Sequence, residues 1–337
     1  MASSQFRPGS VAPVYDHIAV EDRDGVAQVR LNRPDRLNTL GIGAGSSRDE
    51  IAAAMEAADR DHSVGCILLT AAGPAFCAGG DLTGVAPAQT PFEEFAFIRA
   101  LAGFYDRLRA VSKPIVAGVH GRCLGAGLGL VAQCDLVVAA EDARFGLIEG
   151  RVGHPGATEI LPVIGAAWTK FLILTGELID ARRAESIGLV LATVPADDLR
   201  PRVFDLARRI AAVPRESAIL NKASIEAMRD SMGRHAARQV GRAYDVTTKG
   251  AARFTAAPDG RRAQAWKRAD ESFAHAARAA GDDHPAPVQP GCGHPRPCSL
   301  AAGRVCPAVL SQVVATRAAA VRGRDASIIE RCRACPR

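Results

Sequence analysis

The sequence predicts an α/β fold on three observations. Short apolar runs alternate with helical stretches. Two of these runs lead directly into glycine-rich loops, and from about Glu159 to Ala280 the pattern is almost wholly helical. Residues 26–31 (VAQVRL) alternate apolar and polar, which suits a half-buried strand. The turn NRPDRLN follows, then an Ala-rich stretch of helical spacing over 48–60. CILLT at 66–70 reads as a buried strand that enters the loop AAGPAFCAGGDL. A helix is expected over about 93–110, and Lys113-Pro114 precedes the buried strand IVAGV. That strand runs into HGRCLGAGLGLVAQCD, a glycine-rich turn opening a helix. A further strand, DLVVAA, and the segment ARFGLIEGRVGHPGA come next. No repeat with a period of 20–50 residues is present.

The 337 residues can bury a full core, and 48% hydrophobic with 23% charged residues is ordinary for a soluble globular protein. No apolar run reaches the roughly 18–20 residues that a membrane helix needs. The N-terminus shows no apolar signal core, so a cytoplasmic location and no membrane partner are expected. The formal charge of +6 is concentrated at the C-terminus, where eight Arg stand against three acids from Asp283 onward. Residues 1–282 are close to neutral, which argues against a nucleic-acid partner. Cys66, Cys77, Cys123 and Cys134 lie in apolar or glycine-rich segments and read as reduced, buried thiols. The other five cysteines follow residue 290 at irregular spacings, so no metal site is expected. The Pro/Cys/Arg-rich run 283–337 reads as a disordered or non-native tail, for which a shifted reading frame would be one origin.

The chemistry is expected in the two glycine-rich loops, Phe76–Leu82 and Gly121–Gly127. A loop that follows a buried strand and opens a helix gathers free backbone N–H groups. Small residues let a ligand approach them closely. In order, NRP…LN, AFCAGGDL, KPIVAGVHGRCLGAGLGL, CDLVVA and ARFGLIE resemble the crotonase superfamily, the enoyl-CoA hydratase/isomerase family, over roughly residues 14–275. The resemblance implies a spiral of ββα units with a helical C-terminal oligomerisation region. The organisation is then a flexible N-terminus at 1–13, the spiral core at 14–200, the helical region at 201–282 and the tail at 283–337. It also implies an acyl-CoA substrate, with coenzyme A as part of the substrate and no other cofactor, and a homotrimer or dimer of trimers.

Carried onto this sequence, the family's oxyanion hole falls on the backbone N–H groups of Gly80 and Ala126. Two fixed donors at a developing enolate oxygen are worth about 3–4 kcal/mol each. Arg36, Leu37, Ala78, Gly79, Asp81, Leu82, Gly125 and Gly129 are the implied substrate- and CoA-binding positions. Asp81 is expected to hold the first loop through local hydrogen bonds to backbone amides, and Arg36 to meet a CoA phosphate. Hydratases of the family carry two glutamates. One matches Glu149, but Gly129 stands where the other would be. Water addition divides its tasks between two acid–base groups, whereas a double-bond shift needs one proton shuttle. Isomerisation by Glu149 is therefore favoured, and Gly129→Glu is expected to raise hydration if the pocket has room. His154 and Glu159 could supply a second acid or base. The alternatives are hydration with such a substitute, another reaction on the scaffold (decarboxylase, thioesterase or dehalogenase), or a non-catalytic acyl-CoA- or RNA-binding relative.

Overall fold

From Cys66 to Gly146 consecutive strands of this chain alternate between two sheets, and that partition brings the glycine loops together. The computed structural model describes residues 15–81, 90–152 and 159–250. Contacts divide the chain into Met1–Phe273 and Ala274–Arg337, and every described residue belongs to the first unit.

The hairpin β1 (Ile18–Arg23) and β2 (Val26–Leu31) opens the fold, followed by a 3-10 turn at Pro34–Arg36 and the helix α1 (Ser47–Arg60). Then come β3 (Cys66–Ala71), the short β4 (Ala75–Cys77) and α2 (Pro91–Ala110). The same long-strand, short-strand, helix sequence recurs as β5 (Ile115–Val119), β6 (Arg122–Leu124) and α3 (Ala126–Val131). It begins a third time with β7 (Leu136–Ala140) and β8 (Arg144–Gly146), which leads into a 3-10 turn at Ile148–Val152. Next are α4 (Leu161–Thr175), β9 (Ile179–Asp180), α5 (Ala181–Ser186) and β10 (Ala192–Val194). The helices α6 (Ala196–Ala211), α7 (Arg215–Ser231) and α8 (Arg234–Gly250) follow. The long strands, with the short β10 at one edge, form one sheet in the order β1-β2-β3-β5-β7-β10, parallel except for the β1–β2 hairpin. The short strands form a second sheet, β4-β6-β8-β9, with only β8–β9 antiparallel. This is the mixed α/β spiral expected.

Strand alternation explains the two cores. Ile67, Leu69, Ile115, Ala117, Val119, Val137 and Ala139 face the main core, shared with α1, α2 and the short strands. Cys66, Leu68, Val116, Val138 and Ala140 face the opposite side, covered by Leu199, Val203 and Ala207 of α6. The expected domain boundary at 200/201 therefore falls inside α6, a helix that closes the second face of the large sheet. Residues 251–337, with the anticipated tail, lie outside the described residues.

The spacing places Gly118 under α6, where an added Cβ would stand 3.1 Å from Val203 Cγ2. Gly118→Val overpacks that contact and is expected to cost about 1–3 kcal/mol, read as a lower urea midpoint at unchanged m-value.

Candidate active site

The site is assembled from main chain first. Asn38 adopts a left-handed conformation, φ 55°. Its side-chain amide donates to the carbonyls of Ala72 and Ala75, 2.8 Å each, while its Oδ1 accepts from Arg33 N–H. This fixes the turn 33–40 against the strand entering the first loop. The loop then runs alongside that turn: Ala78 N–H donates to Leu37 O, Leu40 N–H to Gly79 O, and Asp81 N–H to Leu40 O, at 2.9–3.0 Å. These bonds use the groups on either side of Gly80. By backbone alternation, the N–H of Gly80 itself turns away from Leu40.

The second loop is held by the short-strand sheet, where Gly125 N–H donates to Gly146 O at 2.8 Å. Gly125 precedes α3 with φ 51°, a conformation that a side chain would strain. Ala126 is the first residue of α3, so its N–H has no acceptor within the helix. Gly127 lies against Cys77, and a Cβ there would approach the Cys77 Cβ to 2.7 Å. That close approach seats α3 on the first loop. A Cβ built on Gly80 would come within 4.0 Å of the Ala126 Cβ. Gly80 and Ala126, matched from the resemblance, are thus neighbours, together with Ala78, Gly79 and Gly125.

Glu149 lies in the 3-10 turn after β8, with its carboxylate over Gly125; Oε2 is 2.9 Å from where a Gly125 Cβ would stand. Oε2 is buried without a hydrogen-bond partner. Burial raises the carboxyl pKa from its ordinary 4.5 to about 7, opposed by a hydrogen bond from its own backbone N–H.

The position opposite is occupied. A Cβ on Gly129 would stand 2.6 Å from the Tyr105 hydroxyl, which comes from α2 and donates to Ala126 O at 3.2 Å. The room on which the Gly129→Glu expectation is conditional is filled by this phenol, so a glutamate there requires Tyr105 to move. Arg48 of α1 stands close enough to Tyr105 to interact with it electrostatically, and its Nη2 lies 3.5 Å from the position of a Gly80 Cβ. Neither Tyr105 nor Arg48 was marked by any motif. Glu159, considered as a second acid–base group, is held by Arg109 Nη1 at 2.6 Å and by Gln133, whose amide also donates to Gly129 O. Asp81 stands 3.6 Å from Arg33 and 3.8 Å from Arg36, so ion pairing joins the backbone bond in fixing this loop. Arg33 is a second cation that the motif comparison did not mark. Leu82 and His154, with the shortened Gly153–Pro155 segment, lie outside the described residues. Cys66, Cys77, Cys123 and Cys134 are free thiols, the first three buried. Among the described residues no cluster of three or more His, Cys, Asp or Glu could hold a metal.

A two-sheet spiral with paired loop amides beside a buried carboxyl is the architecture of the crotonase superfamily. The chain belongs to its enoyl-CoA hydratase/isomerase family, whose profile matches residues 21–257. It is 36% identical over 215 residues to the probable enoyl-CoA hydratase echA8 of Mycobacterium leprae, covering 63% of this chain and 81% of that protein. It is 30% identical over 229 residues to the mitochondrial enoyl-CoA hydratase of Pongo abelii, covering 66% and 77%. The crystal structure of an enoyl-CoA hydratase/isomerase from Xanthobacter autotrophicus Py2 superposes with TM-score 0.70 at 33% identity, over 76% of this chain and 99% of that one. The chain is accordingly an enzyme of this family.

The raised pKa of Glu149 has a consequence for stability. Between the unfolded value of 4.5 and the folded value of about 7 the native state binds more protons, so this group destabilises the fold progressively as pH rises through that window. Glu149→Gln removes the penalty. Its melting temperature is expected to exceed wild type at pH 8, by the equivalent of about 3 kcal/mol at most, and to match it near pH 4. Scanning calorimetry at the two pH values checks this.

Proposed function

We propose that this enzyme binds an enoyl-CoA thioester with its carbonyl oxygen accepting from the N–H groups of Gly80 and Ala126, and that Glu149 moves the proton. The carboxylate takes a proton from C2 or C4 and returns it to the other carbon. Meanwhile the two amides stabilise the dienolate oxygen. One proton leaves and one returns, so the reaction is a double-bond shift that calls for no cofactor beyond the coenzyme A of the substrate. Arg36, Leu37 and the neighbouring Arg33 border the CoA nucleotide, and Gly129 with Tyr105 borders the acyl chain.

The observation that carries this reading is the environment of Glu149. A carboxyl with pKa about 7 is near half-ionised at neutral pH and can both take and give a proton. No second carboxylate among the described residues shares its task, since Gly129 faces a phenol and Glu159 is committed to Arg109. The hydratase names of the relatives favour a second reading, water addition to a 2-enoyl-CoA. A panel of 2-enoyl-, 3-enoyl- and malonyl-type CoA esters separates isomerisation, hydration and CO₂ release.

Exposed apolar residues on and beside α7 and α8, among them Leu220, Ile225, Met228, Met232 and Val240, support assembly into a trimer. Light scattering on the purified protein tests this. Among the described residues no helix is long and apolar enough to cross a membrane, and a cytoplasmic location remains part of the proposal.

Glu149→Gln is expected to lower kcat by about 10²–10⁴-fold while CoA-ester binding stays within a few-fold. Turnover near wild type in this variant would remove Glu149 from the chemistry. The free-enzyme kcat/KM should rise with pH up to about 7, where Glu149 ionises, and then level off. A pH profile flat from 5 to 8 would contradict its role as the base.

A further inference from the structure

Arg48 is a cation without an anion. It is 7% exposed, and among the described residues no carboxylate pairs with it. Asp81, an acid whose charge acts on it, is itself paired with Arg33 and Arg36. Its Nη1 donates to the carbonyls of Leu40 and Gly41, at 2.6 and 2.9 Å, and its Nε is buried with no partner. The guanidinium lies 5.9 Å from the centroid of the Phe104 ring. Burial opposes its charge. A buried, unpaired guanidinium is costly, and it belongs where an anion is bound.

Its position is equally specific. Nη2 lies 3.5 Å from where a Gly80 Cβ would stand, and the guanidinium is within electrostatic reach of Tyr105, whose hydroxyl covers Gly129. The cation therefore stands between the first loop amide and the position where a second catalytic carboxylate is absent. From this juxtaposition we infer that the acyl group of the substrate itself carries a carboxylate, which Arg48 binds through Nη2, with the Tyr105 phenol beside the guanidinium. The substrate class is a short dicarboxylic acid joined to CoA through one carboxyl group. This inference rests on the acyl-CoA reading of the site. A guanidinium N–H donating to a carboxylate makes a strong, charge-assisted hydrogen bond. With Nη1 occupied by Leu40 and Gly41 and Nε buried, Nη2 is the donor that remains.

The test compares 4-carboxybut-2-enoyl-CoA with crotonyl-CoA, following solvent-deuterium incorporation at C2 and C4 together with water addition. Wild type should prefer the diacid ester in kcat/KM. In Arg48→Met that preference ratio should fall by about 100-fold or more, with Arg48→Lys intermediate. A wild-type preference for crotonyl-CoA, or a ratio unchanged in Arg48→Met, would overturn the assignment. The Glu149→Gln protein provides a second route that leaves Arg48 intact and needs no turnover. By calorimetry it should bind glutaryl-CoA at least about tenfold more tightly than butyryl-CoA. Equal binding would overturn the Arg48 assignment. If wild type turns over neither enoyl ester while the diacid still binds more tightly, the proton-transfer reading fails and the Arg48 assignment stands.

Discussion

The site depends on one close contact, the packing of Gly127 against Cys77. The candidate oxyanion donors are main-chain amides from two loops far apart in sequence, so no side-chain rotamer can adjust their separation. Their spacing is set by how nearly α3 approaches the first loop. A methyl group on Gly127 would meet Cys77 Cβ, O and Sγ at 2.7–2.8 Å, which only movement of the helix could relieve. The short-strand sheet aligns the approach. β4 and β6 pair directly, and Gly125 N–H is bonded to Gly146 O at the end of β8. The large sheet supplies the core, and the small one aligns the chemistry.

Two glutamates near the substrate face differ because their surroundings do. Glu159 is paired with Arg109 and Gln133, and that network ends on the carbonyl of Gly129. Its carboxylate is thereby committed to holding the C-terminal end of α3. Glu149 has comparable burial around Oε2 but no paired cation among the described residues, and burial raises its pKa to about 7. The fold thus leaves one acid unpaired at some cost in stability. The same burial keeps a proton available at neutral pH.

Much of the fold was legible because apolar runs mark buried strands directly. The expected strands at 26–31 and 115–119 match β2 and β5 residue for residue, and α1 and α2 differ from expectation by one or two residues. The strands that periodicity missed are β1, whose outer half is exposed, and the two- and three-residue strands β4, β6, β8, β9 and β10. Several of those lie within the glycine-rich or turn segments, where three residues cannot display a period. In the candidate site, motif order marked the glycine loops and Glu149 as expected positions. It could not identify Arg48 or Tyr105, which come from different helices and meet at Gly129 only after folding. The missing carboxylate was visible at Gly129; what fills its place was not.

What fills it changes the electrostatics of the pocket rather than only its volume. A glutamate at 129 would add a negative charge close to Tyr105 and its partner Arg48, and would give that cation an internal counter-ion. With glycine there, the phenol can lie over the helix, and among the described residues no carboxylate pairs with Arg48. Gly129, Tyr105 and Arg48 therefore act as one unit: the first provides space, the second fills it with a neutral hydrogen-bonding group, and the third leaves a positive charge beside the first loop. A helix without a carboxylate at 129 and a guanidinium without an acid partner among the described residues are, in this chain, parts of one arrangement.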